Sequence, residues 1–154
     1  MGAIVQVVQA TKTDAFQTAA VGWTLVPTLT ATLTPSSVAN QIVFMMKINL
    51  GSDGQNGVAY KVQRDGVDID IGDALGIRTR ATGASFGTSV DLDSGISLSE
   101  VYLDSPATIN PVVYTVYVDK QSAANVNVNR SNNATDAANF FRTTSNIVLM
   151  EYAP

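Results

Sequence analysis

Residues 58–71 constrain the fold more than any other stretch. Val58, Tyr60 and Val62 alternate with Ala59, Lys61 and Gln63. Asp65-Gly66 follows, and then Val67, Ile69 and Ile71 alternate with Asp68 and Asp70. A two-residue hairpin loop that matches the right-handed strand twist needs positive φ at both positions, and Asp-Gly accepts that with little strain. The stretch is therefore a β-hairpin. Beyond it, Gly72, Gly76 and Gly83 punctuate a glycine-rich excursion that carries Asp73, Arg78 and Arg80.

The same period of two recurs along the chain. Ala3–Gln9 is apolar on both faces and is expected to be sandwiched. Gly22–Val26 begins a second strand, which Pro27 should interrupt because it lacks a ladder donor. From Thr28 to Thr34, Leu29, Ala31 and Leu33 point inward between threonines. In Gln41–Leu50, Ile42, Phe44, Met46, Ile48 and Leu50 line one face, while Val43 and Met45 make half of the other face apolar too. That second patch needs a cover, either another strand or a neighbouring subunit. Ile96–Leu103 resumes strand character and Asp104-Ser105-Pro106 breaks it. Val112, Tyr114, Val116 and Val118 form an inward row, with Val113, Thr115 and Tyr117 opposite. Val126 and Val128 alternate with Asn125, Asn127 and Asn129, and Asn146–Tyr152 closes the chain.

About ten short strands, frequent turn signals and no helical period predict an all-β fold. The expected architecture is a single domain over 1–154, a jelly-roll-type β-sandwich of 8–10 antiparallel strands with its first and last strands central. At 154 residues a core large enough to need no disulfide or metal is available.

Composition narrows function by exclusion. The chain has no cysteine and no histidine, which removes thiol nucleophiles, thiolate metal sites and imidazole acid–base pairs. A net charge of −4 with only 14% charged residues argues against a nucleic-acid partner, which needs a basic patch. No run approaches the length of a membrane span, and Met1–Ala10 lacks the basic start of a signal peptide. The Met-Gly opening has Gln6 where myristoylation needs Ser or Thr, and Asn133-Ala134-Thr135 is a sequon by chance without a secretion signal. Hydrophobic residues make up 45% of a chain with so little charge. Such a surface suits a subunit that hides part of itself in an assembly, and a quiet monomer fits it too.

Candidate sites each have two readings. Arg78 and Arg80 flank Thr79 and share a face if the loop is extended, as an anion or glycan rim would require. The structural alternative, ion pairs with Asp73, Asp70 or Asp104 or with their equivalents across a subunit boundary, is favoured by the acidic residues between Asp65 and Asp93. Asp91-Leu92-Asp93-Ser94-Gly95 has the alternate carboxylates of a calcium loop without its distal ligands, and reads as a turn. Asp68 and Asp70 on one strand face make a poor glycosidic pair, since such carboxylates come from separate elements across a cleft. The Asn125, Asn127 and Asn129 row could meet sugar hydroxyls but reads first as a solvated edge strand. Arg130 and Arg142 bracket the loop Ser131–Phe141 and are expected to anchor it through backbone carbonyls. Val43, Met45, Val113 and Tyr117 are the expected subunit-interface residues. No cofactor, metal or catalytic residue is expected.

Several stretches together resemble a known family: QVVQATKTDAFQTA, PSSVANQIVFMMKINLGS, VQRDGVDIDIGDALGIRTRAT, YLDSPAT, VYTVYV and VNVNRSNNATDAANFFRTTSNIVLMEY. They are similar to a domain widespread in cyanophages and other aquatic phages, found at the end of tail-fibre-like chains or as a small virion structural protein. The resemblance implies a jelly-roll head that assembles as a homotrimer without catalysis. Because the chain starts at Met1 directly on its first strand, it also implies a capsid decoration (cement) protein in contact with the major capsid protein. A tail-fibre tip that binds a host glycan is the alternative.

Overall fold

The computed structural model describes residues 2–52, 57–85, 95–121, 125–131, 137, 138 and 140–154. Its strands are β1 (Ala3–Lys12), β2 (Phe16–Thr18), β3 (Thr24–Leu33), β4 (Gln41–Ser52), β5 (Val58–Arg64), β6 (Val67–Ile69), β7 (Gly83–Ser85), β8 (Gly95–Asp104), β9 (Val112–Lys120), β10 (Val126–Val128) and β11 (Ser145–Ala153). They form two antiparallel sheets packed face to face, a β-sandwich. The first sheet has the order β1-β11-β4-β8, with β10 pairing the far end of β4 and carrying β2. The second has the order β3-β9-β5-β6, with β7 pairing the first half of β5.

Four pairings nest one inside another: β5 with β6, β4 with β8, β3 with β9, and β1 with β11. The chain thus doubles back on itself about Asp65-Gly66, whose φ values of 51° and 83° are those of the expected turn. The alternation seen in the sequence supplies the core. Leu29, Ala31 and Leu33 of β3, Ile42 to Leu50 at every second position of β4, Val112 to Val118 likewise in β9, and Ile147 and Leu149 of β11 are all buried. The Phe44 and Tyr114 rings meet across the sheets with centroids 5.6 Å apart.

Four expectations are corrected. β1 is an edge strand that pairs only with β11, so Val5 and Val7 are exposed rather than sandwiched. Its apolar outer side is real, but none of the described strands forms a layer over it. β3 runs through Pro27 as one strand, Thr24–Leu33, although the ladder to β9 is interrupted there as the missing donor requires: it skips from Leu25 to Thr30, with Thr28 at φ 65°. β6 stops at Ile69 because Asp70 turns away at φ 48°. Asn127 and Asn129 are fully buried, not solvated. Asn127 Oδ1 accepts from Gln17, and the Asn129 amide donates to the carbonyls of Lys12 and Asp14 and accepts from the Ser145 hydroxyl. Asn129 thus satisfies backbone carbonyls, and Asn127 a side-chain amide of β2, where β2 and β10 join the sheet, as burial requires.

Glu151, in phase with Ile147 and Leu149, points into the sandwich and is fully buried. Four neutral donors solvate it: Gln6 Nε2 at 2.5 Å, Asn40 Nδ2 at 2.6 Å, and the Ser36 N–H and hydroxyl at 2.6 and 2.8 Å. One carboxylate therefore ties β1, β11 and the β3–β4 connection together. Burial pushes its pKa up, and the hydrogen bonds from Asn40, Gln6 and Ser36 outweigh this, holding it at about 2 against an ordinary 4.5. A carboxyl depressed in the fold stabilises it fully above the unfolded value and loses that contribution as pH falls through the folded value. Glu151→Gln is expected to lower unfolding free energy at neutral pH by about 2–3 kcal/mol. In denaturant titrations the gap between variant and parent should narrow between the ordinary carboxylate range and pH 2; a pH-independent gap would refute the assignment.

Candidate functional site

The outer face of the first sheet is the most unusual surface. Strand register aligns Val7, Met150, Val43 and Leu103 in one cross-strand row, and Gln9, Val148, Met45 and Val101 in the next. Seven of these eight side chains are apolar and none is charged. Val7 is 57% exposed, Leu103 51% and Val101 66%, while Val43, Met45, Val148 and Met150 are half-buried. The next row, Thr11, Asn146, Lys47 and Ser99, is polar. On the other side Gln41 meets Ser105 through a hydrogen bond of 3.1 Å. With strands ~4.8 Å apart and same-face residues ~6.8 Å apart, the apolar field covers roughly 260 Å². An apolar centre bounded by polar rows is the anatomy of a protein interface.

Val113 and Tyr117, also expected at an interface, lie on the opposite outer face, that of the second sheet, and are half-buried. There Tyr117 is engaged within the subunit. The Lys61 ammonium lies 5.2 Å from the Trp23 ring centre and 5.7 Å from that of Tyr117, and is paired with Asp68 at 2.8 Å. Asp68 also accepts from Gln63. Burial raises the Asp68 pKa, but the bonds from Lys61 and Gln63 and the Lys61 and Arg80 charges bring it below the ordinary value. It is thus a poor proton donor near neutral pH.

The arginine loop has a fixed base. Gly72 N–H donates to Ala81 O, Arg78 N–H donates to Leu75 O, and Gly76 makes the turn between them at φ 58°. Thr82 closes the loop, its hydroxyl accepting from Val62 N–H. Arg80 Nε donates to the Gly72 carbonyl at 2.5 Å. Among the described residues the ion pairs are Lys12–Asp14, Lys61–Asp68 and Arg64–Asp104. The expected pairing of Arg78 or Arg80 with Asp73, Asp70 or Asp104 is therefore not formed within the subunit. Asp73 is exposed on the loop. Asp104 is taken by Arg64 Nη1 at 2.5 Å and by the Tyr114 hydroxyl at 2.7 Å. This buried bridge joins β8 of one sheet to β5 and β9 of the other. Burial and then Asp104 raise the Tyr114 pKa far above the ordinary phenol range.

Beside the loop, a cleft of about 550 Å³ is lined by Gly57, Val58, Ala59, Arg78, Thr79, Ala81, Ala84, Asp119, Lys120 and Gln121. At the sandwich end, the backbones of Arg130 and Arg142 form a two-residue bridge, and Arg130 Nε donates to Ser131 O, a carbonyl contact of the anchoring kind. Arg130 and Ser131 border a smaller cavity of about 160 Å³ against Phe140 and Phe141. The interior of their loop at 132–136 and 139 lies outside the described residues, as do the Asp91–Ser94 turn and the Asn133 sequon. Among the described residues there is no group of three or more His, Cys, Asp or Glu that could hold a metal ion, and no helix is long and apolar enough to cross a membrane.

No family model matches the chain, and no curated protein matches it as a relative. Function must therefore be argued from these surfaces. Sequence reasoning missed the Glu151 and Asp104 networks, although the phase of Glu151 with Ile147 and Leu149 was a usable signal. Asp104→Asn should cost about 3 kcal/mol or more, because it leaves the Arg64 charge beside a neutral amide. Thermal or denaturant unfolding would measure this, and a loss below about 1 kcal/mol would show that Asp104 is not a structural bridge.

Proposed function

We propose that this chain is a non-enzymatic structural protein of a phage virion, a homotrimer of jelly-roll sandwiches that sits on the capsid exterior and stabilises the shell. The observation that carries this reading is the charge-free apolar field centred on Val43 and Met45, on the outside of an otherwise complete sandwich. A sister copy suits that surface. A subunit of net charge −4 repels its own kind except where the contact is neutral, and this field carries no charge. Its roughly 260 Å² is about a third of what a standard interface takes from each partner, so flanking residues of β1 and β8 complete it. A three-fold ring needs each copy to offer two different patches, which the β1 and β8 sides of this field can supply.

The nested strand pairing supports the jelly-roll reading, and the resemblance of the VQRDGVDIDIGDALGIRTRAT and YLDSPAT segments to phage domains supports the virion. Many copies, each held to the major capsid protein by a weak contact, would reinforce a shell by multivalency.

Sedimentation of the parent chain is expected to give a trimer at micromolar concentration. The double variant Val43→Glu and Met45→Glu should sediment as a folded monomer, since burying two unpaired carboxylates costs several kcal/mol per subunit. A parent chain that stays monomeric would remove the reading. Placement on the particle is tested by adding the trimer to undecorated shells of its phage. Binding with raised thermal stability of the shell is expected, and density only at fibre tips in a virion map would place the trimer on the tail instead.

A further inference from the structure

We infer that the cleft beside the arginine loop is a binding site for a carboxylate-bearing saccharide, with Arg78 as the group that takes the acid. Its volume of about 550 Å³ is within the range of small-ligand pockets. Register explains why it is open. Ala84, Ala59 and Asp119 face one another across β7, β5 and β9, so two of three adjacent outward positions carry only a methyl group. Among the described residues, no side chain of the second sheet covers this floor.

The groups around that floor divide by what they are already bonded to. Asp119 Oδ1 accepts from the Lys120 N–H, Lys120 Nζ donates to Ala19 O at 2.6 Å, and Gln121 Oε1 accepts from Gly57 N–H. Arg80, across Thr79 from Arg78, is committed to the Gly72 carbonyl. The Arg78 side chain has no hydrogen bond or ion pair with any described residue, yet its backbone is held in place by the Leu75 carbonyl. Arg78 thus presents an uncommitted planar fork on a fixed base, and carboxylate is the anion that such a fork takes in bidentate fashion. A phosphate dianion fits less well, because Asp119 faces the same space and repels the second charge. The same carboxylate orients the ligand. The acid goes to Arg78 and Thr79, and the hydroxyls go to the free lone pairs of Asp119 and Gln121. Small apolar surfaces from Ala59, Ala81 and Ala84 accept the C–H face of a sugar ring.

The site lies on the outer side of the second sheet, away from the field proposed to join subunits, so a trimer closed through the first sheet leaves it open to solvent. The inference holds for the chain as monomer or trimer.

The test is a titration of the 154-residue chain with D-glucuronate, with D-glucose as the neutral control, followed by amide NMR. Glucuronate should bind at least tenfold more tightly than glucose, with shifts concentrated at residues 57–59, 78–84 and 119–121, and added salt should weaken it. Arg78→Ala should remove at least tenfold of the glucuronate affinity while leaving the unfolding midpoint unchanged. Ala59→Leu, which fills the floor without touching Arg78, should abolish binding of both sugars. Equal affinity for the two sugars, no shifts with glucuronate, or an Arg78→Ala variant that binds as well as the parent would overturn the inference.

Discussion

Strand β4 hydrogen-bonds to β11 and β10 along one side and to β8 along the other, and the rest of the molecule is arranged around that hub. Its inner residues, Ile42 to Leu50, form the floor on which the second sheet packs. Its outer residues are the middle of the apolar field. A strand whose every second residue is buried cannot slip by one position without turning its core outward. The register of β4 therefore sets both the core and the surface proposed for assembly.

Much of this was legible in the chain. Period-two alternation gave the inward residues of β3, β4, β9 and β11, and Asp65-Gly66 located the innermost turn. Two-sided apolarity in Gln41–Leu50 pointed to an uncovered face. The same signal misleads at β1: apolarity on both faces predicts a covering layer for Val5 and Val7, whereas both are exposed at the sheet edge, Val7 in the row of Val43. Apolar residues on both faces say that burial is favourable, not what supplies it. The Asn127 and Asn129 side chains were read as solvated because their partners lie far away in sequence, at Gln17, Lys12 and Asp14, and only the folded topology brings them near. Arg64 and Asp104 are separated in the same way. Charge counting favoured Arg78 and Arg80 as partners for Asp104, whereas the edge of β8 brings it to Arg64 and Tyr114.

The two outer faces of the sandwich divide in chemistry. On the second sheet, Lys61 lies against Trp23 and Tyr117 and is neutralised by Asp68, so polar groups complete one another within the subunit and the alanine floor is left as a concavity. On the first sheet, the row from Val7 to Leu103 is apolar throughout and the row beside it is polar only at Gln9 on its edge. One face is finished and carved, the other smooth and water-averse. That asymmetry is what an assembled subunit with an outward side needs.

The doubling-back of the chain has a consequence for its birth on the ribosome. β11 is inserted between β1 and β4, so the first sheet cannot close until residues 145–153 have emerged, and nearly every ladder joins segments distant along the polypeptide. Such topologies nucleate slowly, since long loops must close before distant pairings repay them. Until then the bare side of β4 offers a sticky ribbon to any nascent neighbour, and crowded synthesis of many copies makes encounters with sister chains frequent. Timely arrival of the final strand, rather than strength of the core, then decides whether the product is a closed sandwich or an aggregate.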